Sequence, residues 1–481
     1  MARKSSNRPS DSRRSGSPSS RSSRTRASAR YSGTSRSSKD SFYSDRFASA
    51  AGIGGAQSAS TLDQQAFTIP TRRGEISVTR RHLLYGIIGT GVLVGGGYGA
   101  NAISRAFKKS ENIDILTVSE KQVMKSIDCD EVDFNACATK VGSVTLDYGT
   151  QVFADDDSIA ACLIPTNSAS PLTKVGLLFY QSAYSNVVLD KAQGTEEGFE
   201  IYQARVNKNG LVWLEANILA GKWRIYTAPL NDTNIGTIVL AAEGGGEWET
   251  PSIAVCGSYA FWQEMPLATG SDSSKQSILR KVVFGSSDVK DVLKSTGRFS
   301  TPPHSSTYGL TVTPRTETDS VHYQLTLLNP DTDEVLDTMV LPSSMKPIEA
   351  GYGSTGFFFC FDAIYNYGGG IANLGTYTPR TKTTGSDYST AQWFTFVRTP
   401  TAPPVWCGKY FVVKSTTAIL GFDFDQQTYF VLDVPSGSSD YGTYLASTGE
   451  RSTFVTYTNV DIVPIVDKPT HNCQVEVWTT K

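Results

Sequence analysis

The chain has 481 residues and a net charge of −2, but its charges are unevenly distributed. Residues 1–81 carry 16 Lys and Arg against 5 Asp and Glu, whereas the remaining 400 residues carry 28 against 41. Seven cysteines without a Cys-x-x-Cys pair and four histidines without paired spacing exclude the common zinc-binding motifs, and no metal or cofactor is predicted.

Residues 1–78 are predicted to be a disordered, Ser- and Arg-rich cytoplasmic tail and linker. Up to about residue 46 the segment offers almost nothing to bury, so it cannot offset the entropy of ordering. Its basic side chains either hold it on anionic lipid or keep it as a solvated spacer, and the composition leaves both alternatives open. A specific nucleic-acid partner is not indicated, because aromatic interleaving and a folded reader are missing.

Residues 79–104 are predicted to be a signal or a single-pass transmembrane segment. Arg80 and Arg81 precede 22 uncharged residues, 83–104, which as a helix span about 33 Å, close to the hydrocarbon thickness of a bilayer. Two arginines before a mildly hydrophobic, glycine-rich segment resemble the twin-arginine export signal, although Tyr85 stands where a basic residue is usual. The resemblance implies the membrane and the twin-arginine export machinery as partners.

Ala100 and Ala102 fit the small-x-small pattern that precedes signal-peptide cleavage. Cleavage after Ala102 would release the C-terminal part, whereas an uncleaved segment would anchor it in the membrane. The basic N-terminal flank predicts that the C-terminal part lies outside the cytoplasm, either on the cell membrane or secreted. The alternative is a buried glycine-rich helix of a soluble protein.

Residues 105–142 are predicted to be a juxtamembrane linker with one short amphipathic stretch, 119–132, of a helical turn or two. Cys129 and Cys137 flank a short acidic loop within it and are the best candidates for a disulfide, since export permits such bonds. The alternative is that the cysteines are free, buried thiols, which is preferred for those in predicted strands.

From residue 143 to 481 the sequence repeats a unit of four short apolar strands separated by turn residues, which predicts an all-β fold. The first strands begin at intervals of 41 to 56 residues, near Gln151, Tyr202, Pro251, Pro302, Pro347, Pro403 and Tyr444. Units of this length are typical of β-propeller blades, because packing such sheets around an axis hides both faces of each. We predict seven blades, with six as the alternative.

The last unit ends after three strands, at Lys481. A closed ring then needs one more strand, and residues 143–148, just before the first unit, are predicted to supply it. If they do not, six blades and a hairpin would result.

The Thr/Ala-Pro turns that precede apolar strands, together with the strands Trp223–Tyr226 and Tyr429–Asp433, resemble the TolB-like branch of β-propellers. The resemblance covers about residues 146–481. The turn Asn207–Gly210 is the nearest analogue of the Ser-Pro-Asp-Gly turn of that family. The resemblance implies a binding or scaffolding module and no particular partner.

No catalytic residue is predicted, because the nucleophile elbow Gly-x-Ser-x-Gly and the zinc motif His-Glu-x-x-His are both missing. The run 155–157 of three aspartates fits a calcium or sugar-cleaving site, but a solvated turn is the preferred interpretation. Tyr365, Tyr367 and Tyr377 lie in the longest insertion, 363–392, where exposed rings would stack on a sugar or a peptide.

We therefore predict a binding module for a protein, peptide or glycan and not an enzyme. The alternative is an extracytoplasmic hydrolase or lyase with a carboxylate site on one propeller face. Two carboxylates that face each other in a deep axial pocket would favour the enzyme.

Overall fold

The protein is described by a computed structural model. The residues that it describes are 65–71, 74–79, 123–166, 172–182, 184–268, 275–317, 321–341, 345–360, 376–377, 393–396, 401–462 and 469–481. The chain separates into two units, residues 1–44 and 45–481, and every described residue belongs to the second.

The described residues are nearly all in strands and turns, so the all-β prediction is confirmed. Their α-helical content is the single turn α1 (Phe134–Cys137), and 3-10 turns occur at Ser126–Asp128 and Thr195–Glu197. Within the described ranges, no helix has the length and hydrophobicity needed to cross a bilayer.

A hairpin lies within the predicted tail and linker. Its strands are β1 (Gln65–Thr71) and β2 (Gly74–Thr79), which pair antiparallel. The arginine pair Arg80-Arg81, the predicted membrane segment and the cleavage positions Ala100 and Ala102 follow outside the described residues. The export signal therefore stays a prediction.

The predicted juxtamembrane linker supplies strands to the β-rich domain. In chain order its elements are β3 (Val123–Lys125), β4 (Asp130–Val132), α1 and the start of β5 (Ala138–Asp147). The stretch predicted as a helical turn instead forms β3, a 3-10 turn and β4, because each strand finds a partner far along the chain. Pairing thus extends the β-rich domain towards the N-terminus as far as Val123.

Four antiparallel sheets follow, each named by its first strand. The β6 sheet holds β6 (Gln151–Phe153), β7 (Ile159–Pro165), β8 (Leu172–Phe179) and β9 (Tyr184–Leu189). The β10 sheet holds β10 (Glu200–Asn207), β11 (Gly210–Asn217), β12 (Lys222–Asn231), β13 (Asn234–Ile235) and β14 (Val239–Gly245). The β15 sheet holds β15 (Ser252–Cys256), β16 (Tyr259–Glu264), β17 (Ser277–Val283) and β18 (Lys290–Ser295). The β19 sheet holds β19 (His304–Ser306), β20 (Gly309–Val312), β21 (Arg315–Glu317), β22 (Val321–Leu328) and β23 (Val335–Val340).

The remaining sheets recruit strands from both ends of the domain. The hairpin of β24 (Glu349–Gly353) and β25 (Gly356–Cys360) is followed by β26 (Thr376–Tyr377) and β27 (Trp393–Thr395), which pairs parallel with β3. The β28 sheet holds β28 (Val405–Cys407), β29 (Tyr410–Lys414), β30 (Ile419–Asp423) and β31 (Thr428–Leu432), with β4 parallel to β31. The β32 sheet holds β32 (Ser438–Leu445), β34 (Phe454–Ile462), β35 (Thr470–Thr480) and β5, while β33 (Gly449–Arg451) pairs with β28.

The predicted closing strand is confirmed. β5 pairs antiparallel with β35, from Asp147 opposite Asn472 to Ala138 opposite Thr480. The pairing begins five residues before the predicted segment and completes a four-stranded sheet from the two ends of the domain.

Strands such as β7, β11 and β16 are buried on both faces, which explains the continuous apolar runs in the sequence. Along β7, Ala161 and Leu163 pack on the β10 sheet, whereas the alternate residues Cys162 and Ile164 pack on the β32 sheet. Successive side chains of a strand point to opposite faces, so a strand between two sheets must be apolar at every position.

The same alternation continues from sheet to sheet and closes a ring. In β11, Trp213 packs on the β6 sheet and Leu214 on the β15 sheet. In the β32 sheet, Phe454 packs on the β28 sheet, whereas the adjacent Val455 packs on the β6 sheet. The last sheet therefore contacts the first, and the core is a series of layers between neighbouring sheets.

Candidate functional site

A cavity of about 190 Å³ lies where the first strands of several sheets meet. It is lined by Val152 of β6, Arg205 of β10, Glu349 of β24 and Tyr444 of β32. These strands belong to sheets spread around the ring, and only the centre of a ring brings them together. We call this space the axial cavity.

A buried ion pair stands in its wall. The Nη1 atom of Arg205 lies 3.3 Å from both carboxylate oxygens of Asp155, whose side chain is only 5 % exposed. The guanidinium also lies 4.5 Å above the ring of Phe153. A buried carboxylate is tolerated when a cation and hydrogen bonds compensate its lost hydration, and Arg205 supplies both.

A second pair involves Glu349. Its Oε2 atom lies 2.8 Å from Nε2 of His304, which is 4 % exposed, and the two form an ion pair whenever the imidazole is protonated. Of these two carboxylates, Glu349 lines the axial cavity and Asp155 contacts its lining residue Arg205, and each already has its own partner. This differs from a site in which two carboxylates jointly face a substrate.

The connection between β32 and β34, residues 446–453, crosses the inner strands of other sheets, and we call it the crossing segment. Its strand β33 pairs parallel with β28. Arg451, which is buried, donates from Nη2 to the carbonyl oxygen of Ser305 at 2.9 Å and to its hydroxyl at 3.1 Å. Gly449 has a φ of +76°, and a Cβ atom there would overlap the carbonyl oxygen of Ser305.

Further contacts tie the crossing segment to other sheets. The backbone N–H of Ser452 donates to Oδ1 of Asp157 at 2.7 Å. The carboxylate of Glu450 accepts a hydrogen bond from the backbone N–H of Ser354. Residues of the β6, β19, β24 and β28 sheets are thereby joined by one short loop of the β32 sheet.

The aspartate run 155–157 is not simply a solvated turn, because it connects its own sheet to neighbouring parts of the ring. Asp155 pairs with Arg205, Asp156 caps the N–H of Ser158 at 2.9 Å, and Asp157 holds the crossing segment. Sequence reasoning missed two of these roles because the partners lie 50 and 295 positions away. Among the described residues, no cluster of three His, Cys, Asp or Glu side chains is placed to hold a metal ion.

The predicted disulfide between Cys129 and Cys137 is not formed. All seven cysteines are free and buried. The thiol of Cys129 lies 3.9 Å from the carbonyl oxygen of Lys125, whereas α1 turns Cys137 into the core layer that contains Trp478. Burial, together with the charges of neighbouring aspartates, raises the pKa of Cys129 to about 11, which makes it a poor nucleophile at neutral pH.

Most of the predicted aromatic ligand loop lies outside the described residues. Tyr365 and Tyr367 lie outside the described residues, and Tyr377 is placed in β26 by its backbone alone. A role for these rings in stacking therefore stays a prediction.

No protein-family model and no curated protein matches the sequence. Similar solved structures include β-propellers. A prolyl endopeptidase shares 10% identity over 69% of this chain and 50% of its own, with a TM-score of 0.46. The β-propeller domain of the Trilobed protease from Pyrococcus furiosus shares 9% identity over 57% of this chain and 85% of its own, with a TM-score of 0.36. Sqt1 from Saccharomyces cerevisiae shares 8% identity over 71% of this chain and all of its own, with a TM-score of 0.37.

Proposed function

We propose that the β-rich domain is a seven-bladed β-propeller of TolB-like type that acts outside the cytoplasm as a binding module for a protein, peptide or glycan. The count takes β24–β25 and β26–β27 as one blade, since the rings of Phe359 and Trp393 lie 6.5 Å apart across them. Contact between the β32 and β6 sheets supports a closed ring.

The separate pairing of Asp155 and Glu349 is the observation that favours binding over catalysis. Asp155 is held by Arg205, and Glu349 by His304. Hydrolases that use two carboxylates need both to face the scissile bond, about 5 to 9.5 Å apart. The axial cavity of about 190 Å³ is also smaller than the ~300–1,000 Å³ that is usual for ligand sites.

Export is supported by the sequence of residues 79–104 and by the basic N-terminal flank. The test is fractionation of producing cells that carry an N-terminal and a C-terminal tag on the full chain. We expect the C-terminal tag outside the cytoplasm, and loss of export when Arg80 and Arg81 are both changed to Lys. The same double change at Arg72 and Arg73 is the matched control. A C-terminal tag that stays in the cytosol would refute export.

Binding is tested with the purified full chain in detergent on peptide and glycan arrays. We expect a retained ligand, unchanged in structure, whose binding persists in Glu349→Gln. Cleavage of an arrayed glycan that is abolished by Glu349→Gln would instead establish the enzyme alternative.

A further inference from the structure

A groove of about 540 Å³ opens between the β28 sheet and the beginning of β32, and we call it the side groove. Its volume falls in the range of ligand sites. Leu420 and Val431 contribute an apolar floor, and three exposed carboxylates stand around it, those of Glu131, Asp433 and Asp440. The side groove thus combines an apolar surface with negative charge.

The walls of the side groove are fixed by the backbone. The pairing of β32 with β34 shifts register between Ser438 and Thr443, which moves the intervening residues off the ladder. Gly442 has a φ of +61°, and a Cβ atom there would overlap the carbonyl of Thr417. The N–H of Thr443 donates to that same carbonyl at 2.9 Å. The two walls are therefore joined, and the opening between them is preformed.

A buried hydroxyl group lines the groove. Ser415 is 0 % exposed, and its Oγ atom has no hydrogen-bond partner among the described residues. A buried polar group without a partner destabilises the fold, so an unpaired hydroxyl in a groove wall marks a place where a ligand or a water molecule can bind.

A buried lysine, Lys414, precedes the lining residue Ser415 and is bound to the backbone. The ammonium of Lys414 donates to the carbonyl oxygens of Thr443 at 2.7 Å, Tyr441 at 2.8 Å and Thr416 at 3.3 Å. Its N–H donors are therefore engaged by backbone carbonyl oxygens and not by the carboxylates of the rim. Beyond residue 81 the chain also carries 41 acidic against 28 basic side chains, which attracts cationic partners over a long range.

We propose that the side groove binds a short basic peptide segment of a partner protein. Asp433 and Asp440 take its Lys or Arg side chains, and Leu420 and Val431 take an aliphatic side chain between them. The proposal rests on the proposed function as a binding module and names the class of its ligand. An acidic peptide is disfavoured by charge.

The test is fluorescence anisotropy on the full chain in detergent micelles, with empty micelles as the blank. The probe is the labelled peptide Gly-Ser-Lys-Leu-Val-Lys-Ser-Gly. One matched peptide carries Glu in place of Lys, and another carries Ser in place of Leu and Val. We expect the probe to bind, the Glu peptide to bind at least tenfold more weakly, and the Ser peptide at least fivefold more weakly.

Two double variants locate the site. Asp433→Asn with Asp440→Asn should weaken probe binding at least tenfold. Asp288→Asn with Asp425→Asn changes two exposed carboxylates elsewhere by the same total charge and should weaken it less than twofold. Thermal melting of both variants verifies folding.

Equal weakening in the two double variants would overturn the proposal, because it would mean general charge attraction. Absence of probe binding by the wild type, while the arrays still yield another ligand, would overturn the side groove alone and leave the binding module in place. If neither the arrays nor the anisotropy experiment yields a ligand, both the binding module and the side-groove proposal are overturned.

Discussion

Lys414 offers the sharpest test of the packing between the β28 and β32 sheets. Its side chain is 1 % exposed, and burial lowers its pKa from 10.5 to about 7. The ammonium lies 5.0 Å above the ring of Tyr444 and donates to three backbone carbonyls. The perturbation is Lys414→Met, which keeps the length of the side chain and removes the titrating group.

Whether stability rises or falls with pH depends on which state, folded or unfolded, binds the proton more tightly. Between about pH 7 and 10.5 the unfolded chain keeps this proton and the folded protein releases it, so stability rises with pH. The rise is about 1.4 kcal/mol for each pH unit, and roughly 4–5 kcal/mol over the whole window. Below about pH 7 both states are protonated, and the contribution no longer changes with pH.

The assay is urea unfolding of the full chain in detergent, followed by tryptophan fluorescence at pH 6.5, 7.5, 8.5 and 9.5. We expect the stability of the wild type relative to Lys414→Met to grow by about 3 kcal/mol across this series. The control Lys208→Met, at an exposed position, should show no such trend. A difference that stays constant with pH would contradict the lowered pKa and mean that the three carbonyls keep the ammonium charged throughout.

Three further predictions concern ring closure, the crossing segment and the thiols. Trp478→Ala should cost about 3–5 kcal/mol in urea unfolding, because the indole is buried between the last two sheets; a cost below about 1 kcal/mol would contradict the layered core. Gly449→Ala should cost about 1–3 kcal/mol, since alanine disfavours a φ of +76° and its methyl group meets Ser305; unchanged stability would show that the crossing segment is not held there. Thiol labelling without reductant should find almost no reactive thiol in the native protein and seven after unfolding, whereas five after unfolding would indicate a Cys129–Cys137 disulfide.

The strands and their grouping were predictable because burial on both faces of a strand requires apolar residues at consecutive positions. A run such as Ile159–Pro165 is apolar at consecutive positions, and turn residues bound it on each side. The closing strand was predictable because the last repeat lacked one strand. Residues 143–148 show the alternation of polar and apolar residues expected of the missing strand. These signals are local or follow from counting.

The contacts at the centre of the ring leave no such signal. Arg451 donates a hydrogen bond to Ser305, 146 positions away. The residue types alone do not indicate which distant residue will be the partner. The strands β3 and β4 are each three residues long and show no alternation, so their pairing depends on the sheets they join. The side groove likewise arises from a register shift, which a single sequence does not encode at any one position.

The pairing of β5 with β35 also governs the order in which the protein can mature. Lys140 lies 2.8 Å from Glu476, and the ribosome delivers the second 336 positions after the first. Earlier sheets can assemble on one another during synthesis, but the ring stays open until the final strand emerges. A prematurely terminated chain therefore exposes a vacant strand edge at its own beginning, where a protease or a chaperone can distinguish it from a finished molecule.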